Sequence, residues 1–141
     1  MDALRFGAGL AGAIALCISG VAAAQSKMDF GKREYMQNCA SCHGAGGKGD
    51  GVLRGYLTKS PTDLTTLSKR NNGVFPYQRV YEMIDGRQAI EPHGGRDMPV
   101  WGADYVAKSA QDVQDWPFDP EAYARARIVS LTDYLNRIQG K

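Results

Sequence analysis

Apolar positions recur at helical intervals most regularly between Pro120 and Ile138, where Ala124, Ile128, Leu131, Leu135 and Ile138 alternate steps of four and three. Arg125, Asp133 and Arg137 fall off that stripe, so the pattern predicts an amphipathic helix with one buried face. Asp119 is suited to cap it, Pro120 to open it, and Phe118 to staple onto Tyr123. A second helix is predicted from Pro76 to Asp85, with Tyr77, Val80, Tyr81 and Ile84 on the apolar face and Gly86 as the stop. A third is predicted from Met28 to Cys39, where Met28, Gly31, Tyr35 and Cys39 share a face and Ser26 with Asp29 suggests a capping box. Leu64 and Leu67 suggest a further helical turn within Thr62–Lys69. The pattern does not place Tyr105 to Trp116, and no convincing strand occurs anywhere. Helices this short need burial against partners for most of their stability, which predicts an all-α fold of small packed helices.

The amino-terminal pattern is different in kind. Arg5 precedes an uncharged stretch from Phe6, and Ala22-Ala23-Ala24 supplies a small-residue cleavage site before Gln25. This reads as an export signal over residues 1–24, followed by one domain over 25–141. The rival reading is a retained anchor, because the uncharged run approaches spanning length. Much of it is Gly and Ala, which favours cleavage and leaves no stable membrane anchor expected. Cys17 would leave with the signal, and the large Leu16 before it argues against lipidation.

Composition narrows the picture only a little. The chain has 141 residues and a formal net charge of +2. No dense basic patch points to nucleic acid, so no such partner is expected. With Cys17 removed, Cys39 and Cys42 are the remaining cysteines and no disulfide framework is available. The glycines at 44, 46, 47, 49 and 51 superficially suggest a phosphate loop. That reading fails, because Gly47-Lys48 is followed by Gly49 rather than Ser or Thr and no strand precedes it. Glycines there instead allow tight turning and close backbone approach to the edge of whatever group the motif just before them binds.

The chemistry resides in Cys39-Ala40-Ser41-Cys42-His43. A C-x-x-C-H run attaches haem covalently: the two thiols add to the vinyl groups, and the following imidazole becomes an axial ligand of iron. Structural zinc would need four ligands, and the other cysteine and histidine are Cys17 and His93. A dithiol redox pair would sit beside a βαβ pattern, which is absent. Haem c is therefore the cofactor expected, and its attachment belongs with export, to the periplasm of a bacterium.

The second axial ligand decides what such a haem does. Met98, in Arg96-Asp97-Met98-Pro99-Val100-Trp101-Gly102, is the candidate. Its thioether favours reduced iron, and Pro99 restricts Met98 to an extended backbone. Core filling is the competing role for a methionine, and suits Met28, Met36 and Met83 better. His93, in Pro92-His93-Gly94-Gly95, is the alternative ligand and would lower the potential. With no second ligand at all, the iron would be open, as in a five-coordinate haem enzyme or gas-binding module.

In order along the chain, Gly31-x-x-x-Tyr35, C-x-x-C-H, M-P-x-W-G and Leu131-x-x-Tyr134-Leu135 resemble the class I monohaem c-type cytochromes of bacteria. The resemblance implies a cytochrome c fold, small helices around one covalent haem, with first and last helices crossing where the glycine permits close approach. It implies electron transfer through His43 and Met98 rather than enzymatic turnover. The partner would be a redox protein, a dehydrogenase, reductase or oxidase, met as a free carrier or as a subunit of its complex. It further implies that a proline carbonyl, here that of Pro61, accepts the proximal imidazole N–H, and that Trp101, Arg54, Arg70 or Arg96 reaches the propionates. The stretch from Ala103 to Phe118 departs from the family pattern, as a solvent-facing insertion or a docking segment.

Overall fold

The computed structural model describes residues 29–87, 98–112 and 119–140. Six α-helices follow one another in these residues: α1 (Phe30–Asn38), α2 (Ala40–His43), α3 (Leu67–Arg70), α4 (Tyr77–Asp85), α5 (Trp101–Asp112) and α6 (Pro120–Arg137). Short 3-10 turns lie at Arg54–Tyr56 and Leu64–Thr66, and there is no strand among the described residues. The all-α expectation is met.

Helix α6 is the element on which the others assemble. Asp119 caps it by accepting from the Glu121 N–H, and Pro120 opens it. Ala124, Ile128, Leu131 and Leu135 are buried, as their spacing predicts, while Ile138 packs at the edge of the core. Fully burying one such aliphatic side chain stabilises by roughly 1.5–3 kcal/mol. Helices α1, α4 and α5 each pack against this one.

The α1–α6 crossing is close because of one residue. A Cβ at Gly31 would collide with the Ser130 carbonyl oxygen and lie 2.9 Å from Tyr134 Cβ. Next to it the Tyr35 and Tyr134 rings pack at 5.3 Å, and the Tyr35 hydroxyl donates to the Gly44 carbonyl at 2.5 Å. One turn away, Glu34 is 1% exposed and accepts from Arg127 of α6 at 2.7 Å. The Arg127 guanidinium lies over the rings of Tyr123, Phe30 and Tyr105, at 4.6, 5.5 and 5.6 Å. Aromatic faces thus surround the cation of a pair whose anion is fully buried.

Element boundaries shift where a cap decides them. Helix α1 begins at Phe30 rather than Met28, because Asp29 itself is the cap and accepts from the Lys32 N–H. Ser26 and Phe118, assigned to a capping box and a staple, lie outside the described residues. Asp63 caps the 3-10 turn at Leu64–Thr66, which continues directly into α3. In α4, Val80 and Ile84 are buried and Gly86 closes the helix at φ 71°, as predicted.

The unplaced stretch contains a helix. Over its described part it is α5, packed against α6 and α4, so it is neither a loop nor a solvent-facing insertion. Its buried residues are Gly102, Tyr105 and Ser109. That spacing is helical, but two of the three side chains are too small to register as hydrophobic.

Candidate haem site

Helix α1 runs almost directly into α2, with Cys39 as the joint. Cys39 has helical dihedrals, and its carbonyl accepts from the Cys42 and His43 N–H groups at 3.2 and 2.9 Å. One turn of helix therefore presents Cys39, Cys42 and His43 together. The glycine-rich loop then folds back along that turn: the Gly49, Gly51 and Leu53 N–H groups donate to the carbonyls of His43, Cys42 and Ser41. Side chains are excluded at two points. A Cβ at Gly51 would lie 2.5 Å from the Cys42 carbonyl, and one at Gly49, where φ is +77°, would strike the Pro61 carbonyl oxygen. Close approach is thus to the chain's own backbone around the C-x-x-C-H turn.

His43 Nδ1 lies 3.0 Å from the Thr62 carbonyl. A carbonyl can only accept, so Nδ1 carries the proton and Nε2 is left with its lone pair as the metal-binding atom. The residue that supplies this carbonyl differs from the expectation by one position. The Pro61 carbonyl points at Gly49 instead, and the chain turns so that the next peptide faces the imidazole. Pro61 nevertheless lines the site.

The two cysteines are unbridged. Cys39 is buried, and burial together with the nearby Glu34 charge pushes its thiol up to about 12. No group of three or more His, Cys, Asp or Glu able to hold a metal ion occurs among the described residues.

Cys39, Cys42 and His43 open onto a cavity of about 870 Å³, at whose wall Met98 also lies. That volume sits within the roughly 300–1,000 Å³ typical of cofactor sites. Leu64, Leu67, Val80, Ile84, Leu131 and Leu135 supply apolar wall, drawn from four different elements. Among the described residues, the charged side chains lining it are Lys59, Arg70 and Arg79, and none is acidic. A flat apolar macrocycle with two carboxylates fits this lining: thiols for its vinyl groups, an imidazole for its metal, and cations for its propionates. Of the residues proposed to reach the propionates, Trp101 and Arg70 line the cavity, Arg54 does not, and Arg96 lies outside the described residues. Lys59 and Arg79 were not anticipated, since nothing in their sequence spacing signals convergence. His93 and residues 1–28 also lie outside the described residues. No helix of the described residues is long and apolar enough to cross a membrane.

Helical architecture, the C-x-x-C-H turn with its oriented imidazole, and the lined cavity define a c-type cytochrome, with covalently bound haem c as the implied cofactor and haem-based electron transfer as its general chemistry. More specifically, the model of the family described as "Cytochrome C oxidase, cbb3-type, subunit III" matches residues 26–116, and the chain belongs to that family. No solved structure matches the chain significantly.

Proposed function

We propose that this protein is a periplasmic electron-transfer cytochrome, residues 25–141 being the mature domain once the export signal over 1–24 is cleaved. It carries one haem c with His43 and Met98 as axial ligands. It works as a soluble carrier or as the cytochrome subunit of a respiratory oxidase, dehydrogenase or reductase. The observation that carries this reading is that one cavity gathers Cys39, Cys42, the Thr62-oriented His43 and Met98.

The bound haem supplies reversible one-electron chemistry at iron. Everything else is done by the chain. Cys39 and Cys42 fix the macrocycle to one helical turn. The Thr62 carbonyl holds the imidazole in one tautomer and makes it a better donor. Pro99 limits the backbone freedom of Met98, which would help hold its sulfur in place on the iron. Apolar walls exclude water, which disfavours the more highly charged oxidised site, and a thioether ligand acts in the same direction.

The test is the optical spectrum of the mature holoprotein in both redox states, with and without carbon monoxide. The expected result is a weak far-red sulfur-to-iron charge-transfer band in the oxidised form, no carbon monoxide shift when reduced, and loss of the band in Met98→Ala. A high-spin spectrum with rapid carbon monoxide binding would overturn the ligation and replace the electron carrier with an open-iron enzyme or sensor.

A further inference from the structure

Outside the cavity, one ion-pair cluster is built against the segment that carries Met98. Arg87 follows directly after the stop of α4. Its Nε and Nη2 donate to the two carboxylate oxygens of Asp85 at 2.7 and 2.9 Å. Its Nη1 donates to both oxygens of Glu121, in the first turn of α6, at 2.8 and 2.7 Å. One guanidinium therefore bridges the end of α4 to the start of α6, using the fork geometry that only arginine offers.

The backbone of Gly102 sits against this bridge. A Cβ at that position would lie 2.6 Å from Arg87 Nε and 2.9 Å from Asp85 Cγ, and would strike an Asp85 carboxylate oxygen. Gly102 is buried in the first turn of α5, and Trp101 beside it lines the cavity. Between Gly102 and Met98 lie Pro99, Val100 and Trp101, a span with little slack. None of Asp85, Arg87 and Glu121 lines the cavity, so their role is not to touch the cofactor.

We infer that Arg87, through Asp85 and Glu121, is a positioning residue for the Met98 ligand: the bridge fixes where the first turn of α5 sits, and so where the sulfur is presented. This rests on the reading of Met98 as the second axial ligand. Removing the bridge leaves the thioether bonds and His43 in place but lets the first turn of α5 move. The fraction of molecules with an open sixth position then rises, and the apparent affinity for an added ligand rises in proportion.

The experiment is titration of oxidised holoprotein with imidazole, following loss of the far-red band, for wild type, Arg87→Met, Arg87→Lys and Arg137→Met. Arg137 pairs with Asp29 at the opposite end of α6 and controls for the loss of an ion pair as such. Arg87→Met is expected to bind imidazole about tenfold more tightly than wild type. Arg87→Lys, which keeps charge without the fork, should fall between them, and Arg137→Met should match wild type. Should Arg87→Met not accumulate, Glu121→Gln at its exposed position carries the same direction of effect. Equal imidazole affinity in wild type and all variants, with the band intact, would overturn the positioning role and leave the ligation standing. A wild type lacking the band would overturn both.

Discussion

Replacing Gly31 with alanine tests the helix crossing on which the haem turn depends. In a helix with free space, Gly→Ala stabilises by up to about 1 kcal/mol, because alanine loses less backbone entropy. Here the added methyl would meet the Ser130 carbonyl and Tyr134 Cβ of α6. Ser130 lies within an 18-residue helix whose backbone is committed to its own ladder, so no flexible side-chain end can yield. Overpacking against a rigid neighbour costs roughly 1–3 kcal/mol. At the upper end of that range, which a backbone collision warrants, the net effect is destabilisation by about 2 kcal/mol.

The assay is guanidinium unfolding of the holoprotein, followed by far-ultraviolet circular dichroism and by the haem absorption. Gly55→Ala serves as the comparison, since a Cβ there meets nothing within 4 Å. It should stay within about 0.5 kcal/mol of wild type. The Gly31 variant should unfold at lower denaturant with an unchanged slope. A Gly31→Ala protein as stable as wild type, or more so, would refute the reasoning: helix propensity would have outweighed the crossing.

Arg127→Met should destabilise by about 3–5 kcal/mol, because it strands the buried Glu34 carboxylate, whereas Glu34→Gln with Arg127→Met together should cost less than the two single changes summed; denaturation of all three variants measures the coupling. Asp63 accepts from the Thr65 N–H and hydroxyl, which hold its carboxyl below the ordinary 3.8. Its contribution to stability is therefore present above that value and lost as pH falls through the lower folded-state value, so Asp63→Asn should reduce the dependence of melting temperature on pH below about 3.8. Cys39→Ala with Cys42→Ala should abolish accumulation of folded holoprotein, judged by haem stain and circular dichroism; a normal folded yield without haem would refute the dependence of the core on its cofactor.

What the sequence disclosed and what it concealed follow from how each feature is encoded. The haem turn was legible because its three reacting side chains are adjacent in one turn of helix. Helices α4 and α6 were legible because their buried faces are built from large aliphatic and aromatic residues. Helix α5 was not, since Gly102 and Ser109 occupy positions where a hydrophobic signal would normally stand. The imidazole's acceptor was missed by one residue because a backbone carbonyl leaves no side-chain trace. Lys59 and Arg79 reach the cavity from separate loops and helices, and only tertiary structure brings such residues together.

The cavity wall and the hydrophobic core are not separate structures. Val80, Ile84, Leu131 and Leu135 belong to the buried cluster and also line the cavity. The residues that hold the helices together are therefore the ones a bound macrocycle would touch, and wall substitutions should change stability and reduction potential together. Two positions outside that wall would act on the iron under the proposed ligation: Gly31 through the helix that delivers the cysteines, and the Arg87 bridge through the helix that follows Met98. Each lies outside the cavity, at a place where two helices are held in register by a contact with little tolerance. With Met98 as the proposed second ligand, the geometry at iron would be set from those two helix junctions, while the apolar wall would set the medium in which the electron moves.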